Sequence, residues 1–126
     1  MNGHVDHRGR ALIEVRLISP PNDSTPLEVW IDTGFTGQLV VPREEIDRLG
    51  LRKASGTHAR LADGSTAFLE TFEATLDWFG EQTLIEVIEG QGEFPLLGVI
   101  PLLSYTLIID YGNLTVSIKR TTPAAG

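Results

Sequence analysis

A chain of 126 residues with 41% hydrophobic content suits one globular domain around a single core. Its 10 Lys+Arg against 17 Asp+Glu give a formal net charge of -7, the wrong sign for a phosphate backbone, so no nucleic-acid partner is expected; without cysteine it forms neither disulfides nor thiolate metal sites. The opening Met1-Asn2-Gly3-His4-Val5-Asp6-His7-Arg8 lacks the apolar stretch of a signal peptide, and no later run approaches the roughly 20 residues of a membrane span, so a soluble cytoplasmic protein with no membrane partner is the default expectation.

In chain order, the hydrophobic period is that of short strands. From Ala11 to Ile18, residues Ala11, Ile13, Val15 and Leu17 make an apolar face opposite Leu12, Glu14, Arg16 and Ile18, which predicts a half-buried strand. The turn formers from Ser19 to Pro26 predict a long exposed connection to a strand carrying Val29 and Ile31. After Leu39-Val40-Val41, proline at 42, acids at 44 and 45 and glycine at 50 punctuate a short helix resting on Ile46 and Leu49.

Asp63-Gly64 predicts a projecting hairpin over Thr57 to Thr71 with a two-residue turn, since that dipeptide tolerates positive φ at both central positions. Its second arm runs on in period two through Thr66, Phe68, Glu70, Phe72, Ala74, Leu76 and Trp78, with Phe68, Phe72 and Trp78 read as core. Then come a strand over Thr83 to Ile88, a loop at Gly90-Gln91-Gly92-Glu93, the apolar Leu96-Leu97-Gly98 and a short helical turn over Pro101-Leu102-Leu103. Strands at Thr106 to Tyr111 and Leu114 to Ile118 flank a Gly112-Asn113 turn. Both termini are expected to fray, leaving an ordered core of about residues 8–119 in one domain spanning 1–126.

One residue breaks this pattern. Asp32 stands where a buried strand ends, and an unpaired carboxylate there is costly. Thr33 offers a hydroxyl, and Gly34 lets backbone N–H groups approach, so Asp32-Thr33-Gly34 can hold a carboxylate at the edge of the core. The plainer reading is an Asx-type turn in which Asp32 caps its own backbone.

The remaining candidates are weaker. His4-Val5-Asp6-His7 has metal-ligand types but sits at the expected loose start, His58 is read as an exposed polar residue, and Glu44-Glu45 as the acidic first turn of a helix. No Gly-x-Ser-x-Gly elbow and no phosphate-binding glycine loop is present. No metal and no cofactor is expected.

The order of parts is the informative feature: an apolar strand into Asp32-Thr33-Gly34, a second apolar strand, a hairpin with a glycine tip, and Leu96-Leu97-Gly98 before a helical turn. From Ala11 to Ile118 the chain resembles the retropepsin-like aspartic proteases, in particular their small single-domain bacterial and archaeal relatives. The resemblance implies an all-β fold, a small closed barrel with one or two short helices. It implies that Asp32 is the catalytic aspartate, that the Thr33 hydroxyl grips the partner's loop, that Gly34 keeps the loop tight, and that the hairpin is a flap over peptide or protein substrate. Substrate contacts are then expected from Phe35, from Ala62, Asp63 and Gly64 at the flap tip, and from Leu97, with Leu96-Leu97-Gly98 packed beneath the loop. Phe35 stands where Ala is frequent in the family, so its ring would narrow the cleft or fill a subsite. Aspartic proteolysis uses two carboxylates and this chain has one Asp-Thr-Gly, so the active form is expected to be a homodimer with one Asp32 from each chain. The alternative is an inactive barrel serving as a dimerisation or peptide-binding module.

Overall fold

The structure is a computed structural model and describes residues 1–19 and 23–122. Its elements are β1 (Asn2–Val5), β2 (Ala11–Ser19), β3 (Asp23–Ile31), β4 (Leu39–Pro42), α1 (Arg43–Leu49), β5 (Arg52–Lys53), β6 (Thr57–Arg60), β7 (Thr66–Leu69), β8 (Thr71–Trp78), β9 (Glu81–Gly90), β10 (Leu96–Leu97), a 3-10 turn (Ile100–Leu102), β11 (Tyr105–Asp110) and β12 (Thr115–Arg120).

The apolar alternation of β2 has the predicted result: Ala11, Ile13, Val15 and Leu17 are buried, and Leu12 joins them between its neighbours His4 and Trp30. One edge of β2 pairs with β3 from Leu12 to Ser19. The other edge is shared, with β1 beside Ala11 and Leu12, and β8 beside Arg16 to Ile18. That division closes a ring of six strands, β2-β3-β10-β4-β9-β8 and back to β2. Closure removes the edges that an open sheet would expose and encloses a core that includes Val29, Leu39, Val41, Leu76, Val87 and Leu97. β12 and β11 extend the sheet outward from β1. The result is the small, mostly-β barrel predicted, with one α-helix and one 3-10 turn among the described residues.

Several expectations need correction. The chain start is a strand: β1 pairs with both β12 and β2, and Met1 exchanges hydrogen bonds with Ile118 at 2.9 and 2.8 Å. Four residues with one buried side chain carry too little periodicity to be seen, but Gly3 was a usable signal, because a methyl group there would collide with the Leu12 carbonyl. The connection read over Ser19 to Pro26 is shorter, since Asp23 to Pro26 already belong to β3 opposite Arg16 to Ser19. Residues 20–22 of that connection, and residues 123–126 of the tail expected to fray, lie outside the described residues.

The turn after β1 is organised by Asp6. Its carboxylate accepts the N–H groups of Arg8 and Arg10 at 2.9 Å and the Arg10 Nε–H at 2.7 Å. Burial pushes the Asp6 pKa up, but the hydrogen bonds from Arg10 and Arg8 outweigh it and hold the value at about 2, against an ordinary 3.8. A carboxyl depressed in the folded state contributes stability that is present above its unfolded value and lost as pH falls through the folded one. Asp6 should therefore steepen acid destabilisation between about pH 4 and pH 2, and urea melts of Asp6→Asn across that window should show a shallower pH dependence than wild type.

The helix forms as its punctuation predicts. Gly50 takes the left-handed conformation (φ 64°) and donates to Asp47 O, while Ile46 is buried against the barrel. The predicted alternation from Thr66 to Trp78 is broken at Glu70, which belongs to neither β7 nor β8. Below the break Phe72, Ala74, Leu76 and Trp78 are core; above it Phe68 is 63% exposed, which corrects its reading as core. The period persists through Phe68 because both arms are strands, but β6 and β7 form a two-stranded sheet of their own, apart from the barrel.

The turn chemistry is also exchanged between two sites. The two-residue turn with positive φ at both positions is Phe79-Gly80 (φ 54° and 86°), joining β8 to β9. Tyr105 stacks on the Phe79 ring at 4.8 Å and Trp78 meets it edge-on at 5.3 Å, which holds a side chain in a conformation it rarely adopts. At the other hairpin only Gly64 has positive φ (87°). Gly64 N–H donates to Leu61 O and Leu61 N–H to Ser65 O, so the loop is Ala62-Asp63-Gly64, a three-residue turn closed by a glycine bulge.

Candidate active site

Ile31 is the last buried residue of β3, and the next residue leaves the barrel wall. Asp32 N–H donates to Leu97 O at 2.9 Å, extending the parallel pairing in which Leu97 sits beside Ile31. The Asp32 carboxylate turns back on its own loop, where Oδ1 accepts Gly34 N–H at 3.0 Å, and Phe35 N–H donates to Asp32 O at 3.2 Å. This is the tight Asx geometry anticipated for Asp-Thr-Gly.

The loop is fastened to the segment after β10 by three further main-chain bonds. Gly98 N–H donates to Gln38 O, Val99 N–H to Phe35 O and Ile100 N–H to Gly37 O, at 2.9 to 3.1 Å. The Gln38 side chain adds a tie to β9, its Oε1 accepting Glu86 N–H at 2.6 Å. Asp32 is half-buried, whereas Thr33 and Gly34 are exposed beside it. A half-buried carboxylate on a loop this heavily cross-linked is held in place while one oxygen, Oδ2, stays outside the turn bond.

Asp32 opens onto a recess of about 330 Å³ formed with Trp30, Ile31 and Leu96. The Arg10 guanidinium lies over Phe94 at 4.7 Å and Trp30 at 5.9 Å, so the strand that delivers Asp32 is flanked by a packed cationic and aromatic wall. A larger depression of about 630 Å³ between α1 and residues 89–93 is lined by Glu44, Glu45, Glu89 and Glu93 among others and does not include Asp32. Among the described residues no cluster of His, Asp and Glu fits a metal ion, and no helix is long and apolar enough to cross a membrane.

The predicted site residues separate into three groups. Asp32, Thr33 and Gly34 are together on one loop. Ala62, Asp63 and Gly64 are together at the exposed hairpin tip, where two hydrogen bonds from Ser65, through its Oγ–H and N–H, hold the Asp63 carboxyl below its ordinary range. Phe35 and Leu97 depart from expectation. The Leu97 side chain has 0% exposure and belongs to the core beneath the loop; its neighbour Leu96 lines the recess. Phe35 does not line the recess. Trp30 and Leu96 were not expected at the site, although each precedes an inward-facing residue of its strand, Ile31 or Leu97, so alternation points both of them outward.

The hairpin of β6 and β7 leaves the barrel through two stalks. On one side Ala54 N–H donates to Thr71 O, followed by Gly56 at positive φ (47°). On the other, Glu70 is held by Lys53 Nζ at 3.0 Å and Arg43 Nη1 at 3.7 Å, the first of which depresses its pKa. Beyond these stalks the hairpin is held by cross-strand bonds, by the edge-on contact of His58 with Phe68 at 5.4 Å and by half-exposed side chains such as Ala67 and Leu69. Amide exchange across residues 57–69 should be at least about tenfold faster than across Val29 to Ile31, as measured by mass spectrometry after short labelling. Equal protection of the two segments would show that the hairpin is docked.

The fold is that of the retropepsin-like aspartic proteases. Among solved structures, a retropepsin-like aspartic protease from Rickettsia conorii is similar to the chain with a TM-score of 0.61 at 17% identity, over 95% of this chain and 90% of that one. The EIAV protease in complex with the inhibitor HBY-793 is similar with a TM-score of 0.52 at 25% identity, over 74% of this chain and 85% of that one. No protein-family model matches the sequence, and no curated protein matches it significantly.

Proposed function

We propose that the protein is an aspartic endopeptidase, active as a homodimer in which each chain contributes one Asp32. The observation that carries this reading is the site itself: a single half-buried carboxylate, fixed by Gly34 N–H and by a loop bonded to the segment from Leu97 to Ile100, beside an apolar recess, with its flanking Thr33 and Gly34 left exposed. One carboxylate cannot both accept a proton from water and donate one to the scissile carbonyl oxygen in the same step. Two that meet across a two-fold axis can, because they share one proton rather than both ionising at close range.

In this reading the shared pair takes a proton from the attacking water and gives one to the carbonyl oxygen, forming a tetrahedral diol; the pair then takes a hydroxyl proton back and delivers one to the nitrogen as the C–N bond breaks, leaving acid and amine. Thr33 and Gly34 face the partner's equivalent loop. The recess lined by Trp30 and Leu96 receives an apolar side chain of an extended peptide, and the hairpin with Ala62, Asp63 and Gly64 closes over it. The inhibitor-bound EIAV protease supports the reading, as a similar fold that holds a ligand.

The test is cleavage of a peptide library over a dilution series. Activity per chain should rise with protein concentration and level off as the dimer saturates, tracking the dimer fraction from analytical ultracentrifugation. Activity per chain that is constant while the protein is monomeric would overturn the shared site. No cleavage at any concentration, with the dimer present, would leave a peptide-binding module.

A further inference from the structure

The ring of Phe35 is committed to the interior of its own loop. A methyl group on Gly37 would collide with the far edge of this ring, and one on Gly98 would collide with its near edge and with the Gly37 carbonyl. Neither Gly37 nor Gly98 has a left-handed backbone, so neither is glycine for the sake of φ. Gly37 is glycine because the ring occupies the space a side chain would take, and Gly98 because the ring and the Gly37 carbonyl together occupy it. The main chain repeats the same connections, with Phe35 O accepting Val99 N–H at 2.9 Å and Gly37 O accepting Ile100 N–H at 3.1 Å. Phe35 is thus wedged between the two segments that set the height of Asp32, and it is absent from the recess that Asp32 opens onto.

From this we infer that Phe35 is a positioning residue for Asp32 and forms no wall of the substrate cleft. The inference rests on the reading of Asp32 as the catalytic carboxylate. The wedge fixes the spacing between the loop from Asp32 to Gln38 and the segment from Leu97 to Ile100, and so the point at which the carboxylate meets its partner. Catalysis is sensitive to such placement, since a displacement of about 1 Å can cost on the order of 100-fold in rate. The ring at 35 and the missing side chain at 37 must therefore act as a pair, whereas position 98 is closed by the Gly37 carbonyl as well as by the ring.

The test is a set of coupled substitutions. Phe35→Ala should lower kcat about 10- to 100-fold while leaving KM and the side-chain preference at each substrate position unchanged. Gly37→Ala alone should lower both Tm and kcat, because the methyl group meets the ring. Combined with Phe35→Ala it should recover most of the Tm that Gly37→Ala loses, because the obstructing ring is gone. Gly98→Ala should not be recovered by Phe35→Ala, since the Gly37 carbonyl still blocks it.

A changed preference at one substrate position in Phe35→Ala, with kcat retained, would make the ring a subsite wall and overturn the inference. Simple additivity of Phe35→Ala and Gly37→Ala would do the same. If Phe35→Ala does not fold, Phe35→Leu, which keeps most of the volume, replaces it in every comparison. If wild type cleaves nothing, the proposed function fails on its own; the Tm coupling and the amide exchange of Val99 and Ile100, faster in Phe35→Ala, still decide whether the wedge exists.

Discussion

Asp32→Asn is expected to lower peptide cleavage at least about 1,000-fold while leaving a folded dimer, because the two properties depend on different atoms of the same side chain. The loop bond uses Oδ1, which accepts Gly34 N–H at 3.0 Å, and an asparagine carbonyl oxygen accepts the same bond. Asn and Asp serve about equally well in such turns, so the stability change should stay within about 1 kcal/mol. Proton transfer is what the amide cannot do: it neither holds the shared proton nor takes one from water. The comparison is initial rates for wild type and Asp32→Asn at matched dimer concentration, with thermal melts on the same samples. Undiminished turnover in the variant would remove Asp32 from the chemistry. A variant that has lost its melt would leave the loop role and the chemical role unseparated, and Asp32→Ala, which lacks the loop acceptor as well, then supplies the contrast.

What was legible in the sequence is what local physics controls. The face of β2, the helix from Arg43 to Leu49 with its glycine stop, and the Asp32 turn each follow from residues within one or two turns of chain, and each has the predicted form. What was not legible depends on residues far apart in sequence. β1 exists because β2 on one side and β12 on the other accept it, and the β12 pairing joins residues more than 100 positions apart, which four residues cannot announce. The break at Glu70 is invisible to a period-two count, because alternation continues whether or not the strand has left the barrel. The placement of Phe35 is a matter of contacts too: seen alone it is a bulky ring beside Asp32, and the glycines at 37 and 98 show where the ring goes. Leu97 lies beneath the loop as expected, and with 0% exposure its side chain is part of the core.

Leu97→Ala carries the largest expected cost in stability, about 2–5 kcal/mol, and its effect should reach the active site. Leu97 is fully buried on the short strand between β3 and β4, so deleting its side chain removes apolar area from the core and leaves a cavity that the closed barrel collapses around only partly. The same residue's carbonyl receives Asp32 N–H at 2.9 Å, and the next three residues, Gly98 to Ile100, hold the loop from Phe35 to Gln38. A cavity at position 97 therefore disturbs the segment whose main-chain bonds anchor the Asp32 loop, and kcat should fall together with stability. Leu84→Ala is the control: Leu84 is 66% exposed on β9, so the same chemical change there should stay within about 0.5 kcal/mol and leave turnover unaltered. Urea melts of both variants, with turnover measured well below the Leu97→Ala midpoint, separate the two effects. Equal costs at the two positions would contradict the packing described for the barrel, whereas a destabilised Leu97→Ala with wild-type kcat would show that Asp32 is held by its loop bonds alone and not by the core beneath them.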